Sequence, residues 1–271
     1  MSVDRLPPLY LEGFSLWTPR MPGWDMARSV IRGEREPQET PSPRPSTTLL
    51  APTERRRIPD TVAIALEVAA RACEMSKRDP AQLPCVFASG HGDTPISDYM
   101  CSTLASTPTL ISPTKFHNSV HNAAAGYWTI AVRCHAPYTS LSVYENTFAA
   151  GLLEASMQAV CDDTPVLYVV YDIEAVGPLA PMSRCSGLFG VGMVISPRPS
   201  QSAVPMHLRV RLAQQGTDVT PTRAQTRAAQ VVAGNALASG FAFVELLAAD
   251  APGEVSLALS EGCALEVALH R

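Results

Sequence analysis

Hydrophobic and polar positions alternate with a period of two in some stretches and recur every three to four residues in others, and the two periods divide the chain into elements. Residues 9–17, Leu-Tyr-Leu-Glu-Gly-Phe-Ser-Leu-Trp, read as a first strand stopped by Thr18-Pro19. Residues 33–53 are rich in Pro, Ser, Thr and charge and read as exposed loop. Asp60 is the expected cap of a helix whose apolar stripe is Val62, Leu66, Ala69, Ala70 and Cys73. Cys85–Ser89 reads as a short buried-type strand ending in Gly90-His91-Gly92. Asp93 or Thr94 can cap a second helix, which runs to about Ala105 and is followed by loop over 106–115. A small-residue helix, containing Ala123-Ala124-Ala125-Gly126, is expected from Ser119 to about Ala131.

Thr139–Tyr144 is β-branched and alternating and reads as a strand. It leads straight into a helix at 146–161, with Phe148, Leu152, Leu153, Ala155 and Met157 on its apolar face. Val166–Tyr171 is a continuous apolar run, the pattern of a strand covered on both faces. Phe189–Ile195 and His207–Leu212 read as two more strands, a candidate antiparallel pair. A polar linker at 214–226, a helix at about 226–248 and a hairpin of Val255–Leu259 with Ala264–Leu269 around Glu261-Gly262 complete the chain. Alternating strands and helices predict an α/β architecture with a mixed sheet.

Composition narrows the function classes. The 271 residues are 46% hydrophobic and 17% charged, ordinary for a globular protein. A net charge of −4 with no basic stripe gives nucleic acid no purchase. No run approaches the roughly 20 apolar residues of a membrane span, and no charged start leads into an apolar core, so neither a span nor a signal peptide is expected. Seven cysteines without a C-x-x-C pair suit a reducing cytoplasm better than a disulfide framework or a zinc site.

The feature with chemical content is the sharp passage from strand 139–144 into the helix, with Glu145 at the junction. Unpaired N–H groups and the macrodipole at a helix start favour an anion, whether a thiolate or a carboxylate. Glu145 is therefore either an ordinary N-terminal helix charge, contributing about 0.3–1 kcal/mol, or a group with a specific task.

Five short segments occur in a fixed order: Glu12-Gly13-Phe14-Ser15-Leu16-Trp17-Thr18-Pro19; Ser89-Gly90-His91-Gly92; Asn122-Ala123-Ala124-Ala125-Gly126-Tyr127; Ala136-Pro137-Tyr138-Thr139-Ser140 leading to Val143-Tyr144-Glu145; and Phe189-Gly190-Val191-Gly192-Met193-Val194. They resemble, in turn, the first strand of the beta-ketoacyl synthases, their Ser-Gly-x-Gly strand end, their Asn-x-x-Ala-Gly-His helix, their Gly-Pro-Ser-x-Ser strand ending in Thr-Ala-Cys, and their Gly-x-Gly-x-Gly strand. The resemblance implies a thiolase-like α/β fold, a mixed sheet with helices on both faces, as a single domain over 1–271. Residues 9–212 would be the N-terminal ketosynthase half and 213–271 a reduced C-terminal remnant.

Two departures qualify the resemblance. The family's nucleophilic cysteine falls on Glu145, and a carboxylate cannot carry an acyl thioester as a thiolate does. Beyond His91, His117, His121 and His135 only His207 and His270 remain, and neither lies in a motif like the family's two catalytic histidines. The resemblance therefore implies a chain without catalytic residues, similar to the chain-length factors that pair with an active synthase. The run Ser112–Trp128 resembles the short forms found in aryl polyene and xanthomonadin-type pigment biosynthesis. The implied partners are a full-length beta-ketoacyl-ACP synthase, as a heterodimer, and an acyl carrier protein through that complex, with no cofactor and no metal.

By the same resemblance, His91, the helix row Thr94, Ser97 and Cys101, and Phe116 are candidates to line or plug an acyl tunnel. Thr139, Leu141 and Val143 are candidates for an interface strand, joined by Asn122, Tyr127 and Trp128. The residues alone leave alternatives open. Phe116, Tyr127 and Trp128 also suit a core, and His117 and His121, four apart, also suit a metal. Three functions compete: a non-catalytic partner subunit, an acyl-thioester hydrolase or acyltransferase using Glu145 as general base paired with His117 or His121, and an acyl-binding scaffold. Loss of the second half also predicts a bare apolar face on the sheet.

Overall fold

The computed structural model describes residues 6–183, 185–200, 203–213 and 219–270. Its strands are β1 (Leu9–Thr18), β2 (Met21–Pro22), β3 (Cys85–Ala88), β4 (Tyr138–Leu141), β5 (Val166–Asp172), β6 (Phe189–Ser196), β7 (Val204–Leu212), β8 (Gly253–Ser260) and β9 (Cys263–Leu269). Its α-helices are α1 (Trp24–Ile31), α2 (Pro52–Arg55), α3 (Asp60–Ser76), α4 (Thr94–Ser106), α5 (Pro113–Asn118), α6 (Ala123–Val132), α7 (Thr147–Cys161), α8 (Ala180–Ser183), α9 (Arg227–Val232) and α10 (Phe241–Ala249). The strands form one sheet in the order β4-β3-β5-β6-β1-β7-β9-β8, with β2 attached to β1. β3 runs parallel to β4 and β5, and the remaining pairs are antiparallel, so the sheet is mixed as expected.

Alternation sorts side chains between two cores. In β5, Val166, Tyr168 and Val170 join one cluster with Phe148 and Leu152 of α7 and Phe241 and Phe243 of α10. Leu167, Val169 and Tyr171 join the other, against α3 and Trp128 of α6. β1 would lose its phase partway, because Leu9 and Leu11 are odd-numbered while Phe14 and Leu16 are even-numbered. A bulge between Leu11 and Gly13 inserts one residue and keeps all four on the same face. Glu12 sits at that bulge, buried, and accepts two hydrogen bonds from Arg78, each 2.7 Å. The glycines of the first and fifth motifs have a packing cause: a Cβ on Gly13 or Gly192 would overlap the carbonyls of Ala72 or Val68. Their bare backbones let α3 lie directly on the sheet.

Several boundaries differ from the sequence reading. α1 and the short α5 and α8 were not foreseen, and Pro59, not Asp60, precedes α3 as its cap residue. Asp60 instead pairs with Arg44 Nε at 2.8 Å. The segment 33–53 is not uniformly exposed, since its Thr47 and Leu50 are buried. β6 and β7 do not pair with each other; each flanks β1. The expected 226–248 helix is broken into α9, a 3₁₀ turn at Ala236–Gly240 and α10, where Asn235 caps the turn through Leu237 N. Residues 214–218 of the predicted linker lie outside the described residues.

The expected bare apolar sheet face is also corrected. Where β7, β9 and β8 extend beyond α3, their outward residues are His207, Arg209, Arg211, Glu254 and Glu266, and Glu266 accepts from both arginines at 3.0 Å. That face is polar. Among the described residues the exposed large apolar side chains concentrate elsewhere: eight of fourteen lie between Leu104 and Tyr144, near the opposite end of the sheet.

Candidate functional site

The loop after β3, the elbow after β4 and the end of β5 meet at the carboxyl ends of parallel strands, where α/β proteins place their sites. β4 ends at Leu141, earlier than the predicted Tyr144, because the chain turns there. Ser142 Oγ donates to Gly90 O at 2.9 Å and so ties the elbow to the glycine loop. Tyr144 takes φ +51, and a 3₁₀ turn at Tyr144–Asn146 leads into α7. The buried Thr147 hydroxyl accepts from Val143 N at 2.9 Å and donates to Tyr144 O at 2.7 Å. A threonine thus holds the elbow's backbone.

Glu145 stands at this elbow with an exposed side chain, and its carbonyl accepts from Ser239 Oγ at 3.0 Å. Among the described residues no hydrogen bond or ion pair reaches its carboxylate. The local N–H is already served by Thr147, so the elbow holds its shape without that carboxylate.

Asp172, at the end of β5, is fully buried. It accepts from Ser89 Oγ at 2.7 Å, Gly90 N at 2.9 Å and His91 N at 3.3 Å. Burial pushes this carboxyl above the usual range, while the bonds from Ser89 and Gly90 pull the other way. Gly90 has no room for a side chain, since a Cβ would stand 2.9 Å from Tyr144 O and 3.1 Å from an Asp172 oxygen. The loop presents His91, whose ring meets that of Tyr144 edge to face at 5.3 Å. His91 Nε2 is buried and has no hydrogen-bond partner among the described residues.

The structure separates the other predicted site residues. Thr94 is buried and donates to Glu174 O at 3.1 Å, Ser97 donates to Asp93 O at 3.0 Å, and Cys101 is exposed. The row thus runs outward along α4 from the site to the surface. Phe116 is 61% exposed, which overturns core packing for it. From Cys101 to Asn122 only Asn118 is buried, so α4's second half and α5 stand outside both cores.

Thr139 and Leu141 lie on β4, which has β3 on one side and no strand on the other among the described residues. Val143 is off the strand and 41% exposed, a correction that follows from the early turn. Asn122 is exposed and donates to Tyr138 OH at 3.0 Å. Tyr127 is half-buried, its phenol raised by burial and lowered by a hydrogen bond with Asn118. Trp128 is fully buried against α3 and is a core residue, not an interface one. Met157, predicted on the apolar face of α7, is exposed.

His121 Nε2 donates to Leu141 O at 3.0 Å, and the His117 ring packs on Tyr127 at 5.8 Å. Neither makes a hydrogen bond or ion pair with Glu145, so the general-base pair is not assembled. Among the described residues no His, Cys, Asp and Glu cluster could hold a metal. No helix among them is long and apolar enough to cross a membrane. Sequence reading missed Asp172 and Tyr144. Asp172 ends an apolar strand, and a buried acid there is a legible signal, since it requires partners; nothing in the sequence marks Tyr144.

A family model described as the beta-ketoacyl synthase N-terminal domain matches residues 30–254. No curated protein matches by sequence. A structure of the ketosynthase ApeO in complex with its chain length factor ApeC, from Xenorhabdus doucetiae, is similar at TM-score 0.72 and 16% identity, covering 97% of this chain and 100% of that chain. The ishigamide ketosynthase/chain length factor is similar at TM-score 0.70 and 15% identity, covering 96% and 98%. A type II ketosynthase with its acyl-carrier protein, AntDE:AntF, follows at TM-score 0.62 and 12% identity, covering 78% and 70%. These likenesses establish the fold, an α/β mixed sheet with helices, and the match over residues 30–254 establishes that the chain belongs to the beta-ketoacyl synthase family, through that family's N-terminal domain.

Proposed function

We propose that this chain is a non-catalytic chain-length-factor subunit. It forms a heterodimer with an active beta-ketoacyl-ACP synthase and shapes the acyl tunnel during elongation of a polyene or polyketide chain. The observation that carries this reading is Glu145, an exposed carboxylate at the elbow where the family's synthases have a nucleophilic thiol. The free edge of β4, set among exposed apolar side chains, supports a partner at that edge. The likeness to chains of two ketosynthase/chain-length-factor structures, spanned at 100% and 98% of their lengths, agrees in size. On this reading 1–271 is one ketosynthase-like domain, with 213–271 a reduced remnant. Thr139 and Leu141 contribute the interface strand. His91, Thr94, Ser97, Cys101 and Phe116 border the channel from the site outward.

The test is purification of the tagged chain from its own host under mild conditions, followed by mass spectrometry and thioesterase assay. A stoichiometric ketosynthase with an intact cysteine, and no thiol release from acyl-thioesters by the chain alone, is the expected result. Glu145→Gln leaves product length and titre nearly unchanged. A partnerless chain that releases thiol, and loses that activity with Glu145→Gln, would establish the hydrolase reading instead.

A further inference from the structure

Among the described residues, five that are not glycine take a positive φ: Lys77, Arg133, Tyr144, Asp163 and Asp250. Lys77, Arg133 and Asp250 are the C-caps of α3, α6 and α10, and Asp163 follows the C-cap of α7. That is where helices ordinarily turn left-handed. Tyr144 is the exception on two counts: it is aromatic, and it lies where a helix begins. A bulky side chain in this region is strained, and glycine would relieve the strain without altering the turn. The cost is not recovered by burial, since the side chain is 48% exposed.

The ring is nonetheless fixed. It meets His91 edge to face at 5.3 Å, and its hydroxyl donates to Met182 O, on α8. The elbow below it is locked by Thr147 and by Ser142 on the Gly90 carbonyl, and the Gly90 and His91 amides are held by Asp172. Val143, Leu179 and Met182 are also exposed, so the ring stands among exposed apolar side chains next to the end of β4. A strained, immobilised, half-exposed aromatic ring at the elbow is shaped to stop something apolar.

Resting on the partner-subunit reading, we infer that Tyr144 is a specificity-determining residue: its ring, backed by His91 and tethered to Met182, forms the wall against which a linear apolar acyl chain coming from the partner ends. Asp172 acts through the loop as a positioning residue. Removing the ring opens space for further extension units, and enlarging it removes space.

The test reconstitutes the complete chain with its co-purifying synthase and acyl carrier protein and reads product length by mass spectrometry. Tyr144→Gly keeps the left-handed turn, and with Tyr144→Ala it shifts the product distribution at least one extension unit longer. Tyr144→Trp shifts it at least one unit shorter, and Tyr144→Phe, which loses only the bond to Met182 O, stays near wild type. Should the Ala variant fail to assemble, the Gly and Trp variants decide. An intact complex whose product length is the same with Gly and Trp at 144 overturns the role of Tyr144 while leaving the subunit reading standing. If the wild-type chain neither binds the synthase nor changes its products, the subunit reading itself fails, and the assignment of Tyr144 falls with it.

Discussion

The two ends of the sheet are finished differently. At one end β8 has its outer edge closed by the chain itself: Thr222 N donates to Ser256 O at 2.8 Å, and Ser256 N donates to Thr222 Oγ1 at 3.0 Å. The outward face there carries paired charges. At the other end β4 has no strand beyond it among the described residues, and Tyr138 on it and Val143 just after it are 42% and 41% exposed. An unpaired edge rimmed by apolar side chains invites association, and proteins that remain monomeric blunt it with charge, proline or a covering segment. This chain blunts one edge and leaves the other open. The β8 end is thus covered by the chain's own contacts, while exposed apolar side chains gather at the β4 end.

The strongest way to break this contrast uses two phenylalanines. Phe148 is buried under Gly240 and against Tyr168 and Phe243, whereas Phe116 projects from α5 outside both cores. Phe148→Ala is expected to cost about 3–5 kcal/mol of folding stability, because it leaves a cavity in the core. Phe116→Ala is expected to change stability by less than about 0.5 kcal/mol while weakening assembly with the proposed partner. Denaturant unfolding and a binding titration on the same two variants check both halves. A Phe116 variant that unfolds as easily as the Phe148 variant would show that the α4–α5 excursion belongs to the core after all.

Next in size is the β4 edge itself. The carbonyls of Pro137 and Leu141 accept from Cys85 N at 3.1 Å and Ser89 N at 3.2 Å, so these residues face β3. The period of two then turns the main-chain groups of Tyr138 and Ser140 toward the open edge. Ser140→Pro removes an outward N–H that no strand among the described residues uses, a substitution edge strands tolerate. Its expected effect is assembly about 100-fold weaker, equivalent to about 2.7 kcal/mol, with the thermal midpoint of the isolated chain nearly unchanged. Undiminished binding by a folded Ser140→Pro chain would remove strand pairing from the interface.

What the sequence revealed follows the strength of its periods. β5 was legible as a continuous apolar run, and α3 and α7 because their apolar residues recur every three to four positions over a full element. The helix at α1 was not, since Trp24, Met26 and Arg28 mix apolar and charged groups in only two turns. The single helix read over 226–248 failed because Gly234 and Asn235 redirect a run whose composition stays apolar, and the Asn235 side chain reaches three carbonyls far away in sequence. The elbow's position was legible from the apolar helix that follows it, and from the resemblance. Its geometry was not: whether Tyr144 or Glu145 takes the left-handed turn depends on Ser142, Gly90 and Asp172, which come together only in the folded sheet. The burial of Trp128 fits its hydrophobicity, whereas the exposure of Phe116 does not; both are aromatic, and only packing against α3 separates them.

The smallest expected effect concerns the closed edge and sharpens the contrast from its quiet side. Thr222→Ala deletes the hydroxyl that accepts from Ser256 N but keeps the main-chain bond from Thr222 N. Loss of one partly solvated hydrogen bond is expected to cost about 0.5–1.5 kcal/mol. The amide of Ser256 should then exchange with solvent faster by a factor of a few to about tenfold, the ratio that this free energy permits if exchange proceeds through local opening. Affinity for the proposed partner synthase is expected to stay at the wild-type value, since β8 and β4 lie at opposite ends of the sheet. If Thr222→Ala instead makes the chain self-associate, one hydroxyl was what kept the β8 edge from pairing, and the two edges differ by a single covering contact instead of by design of the whole surface.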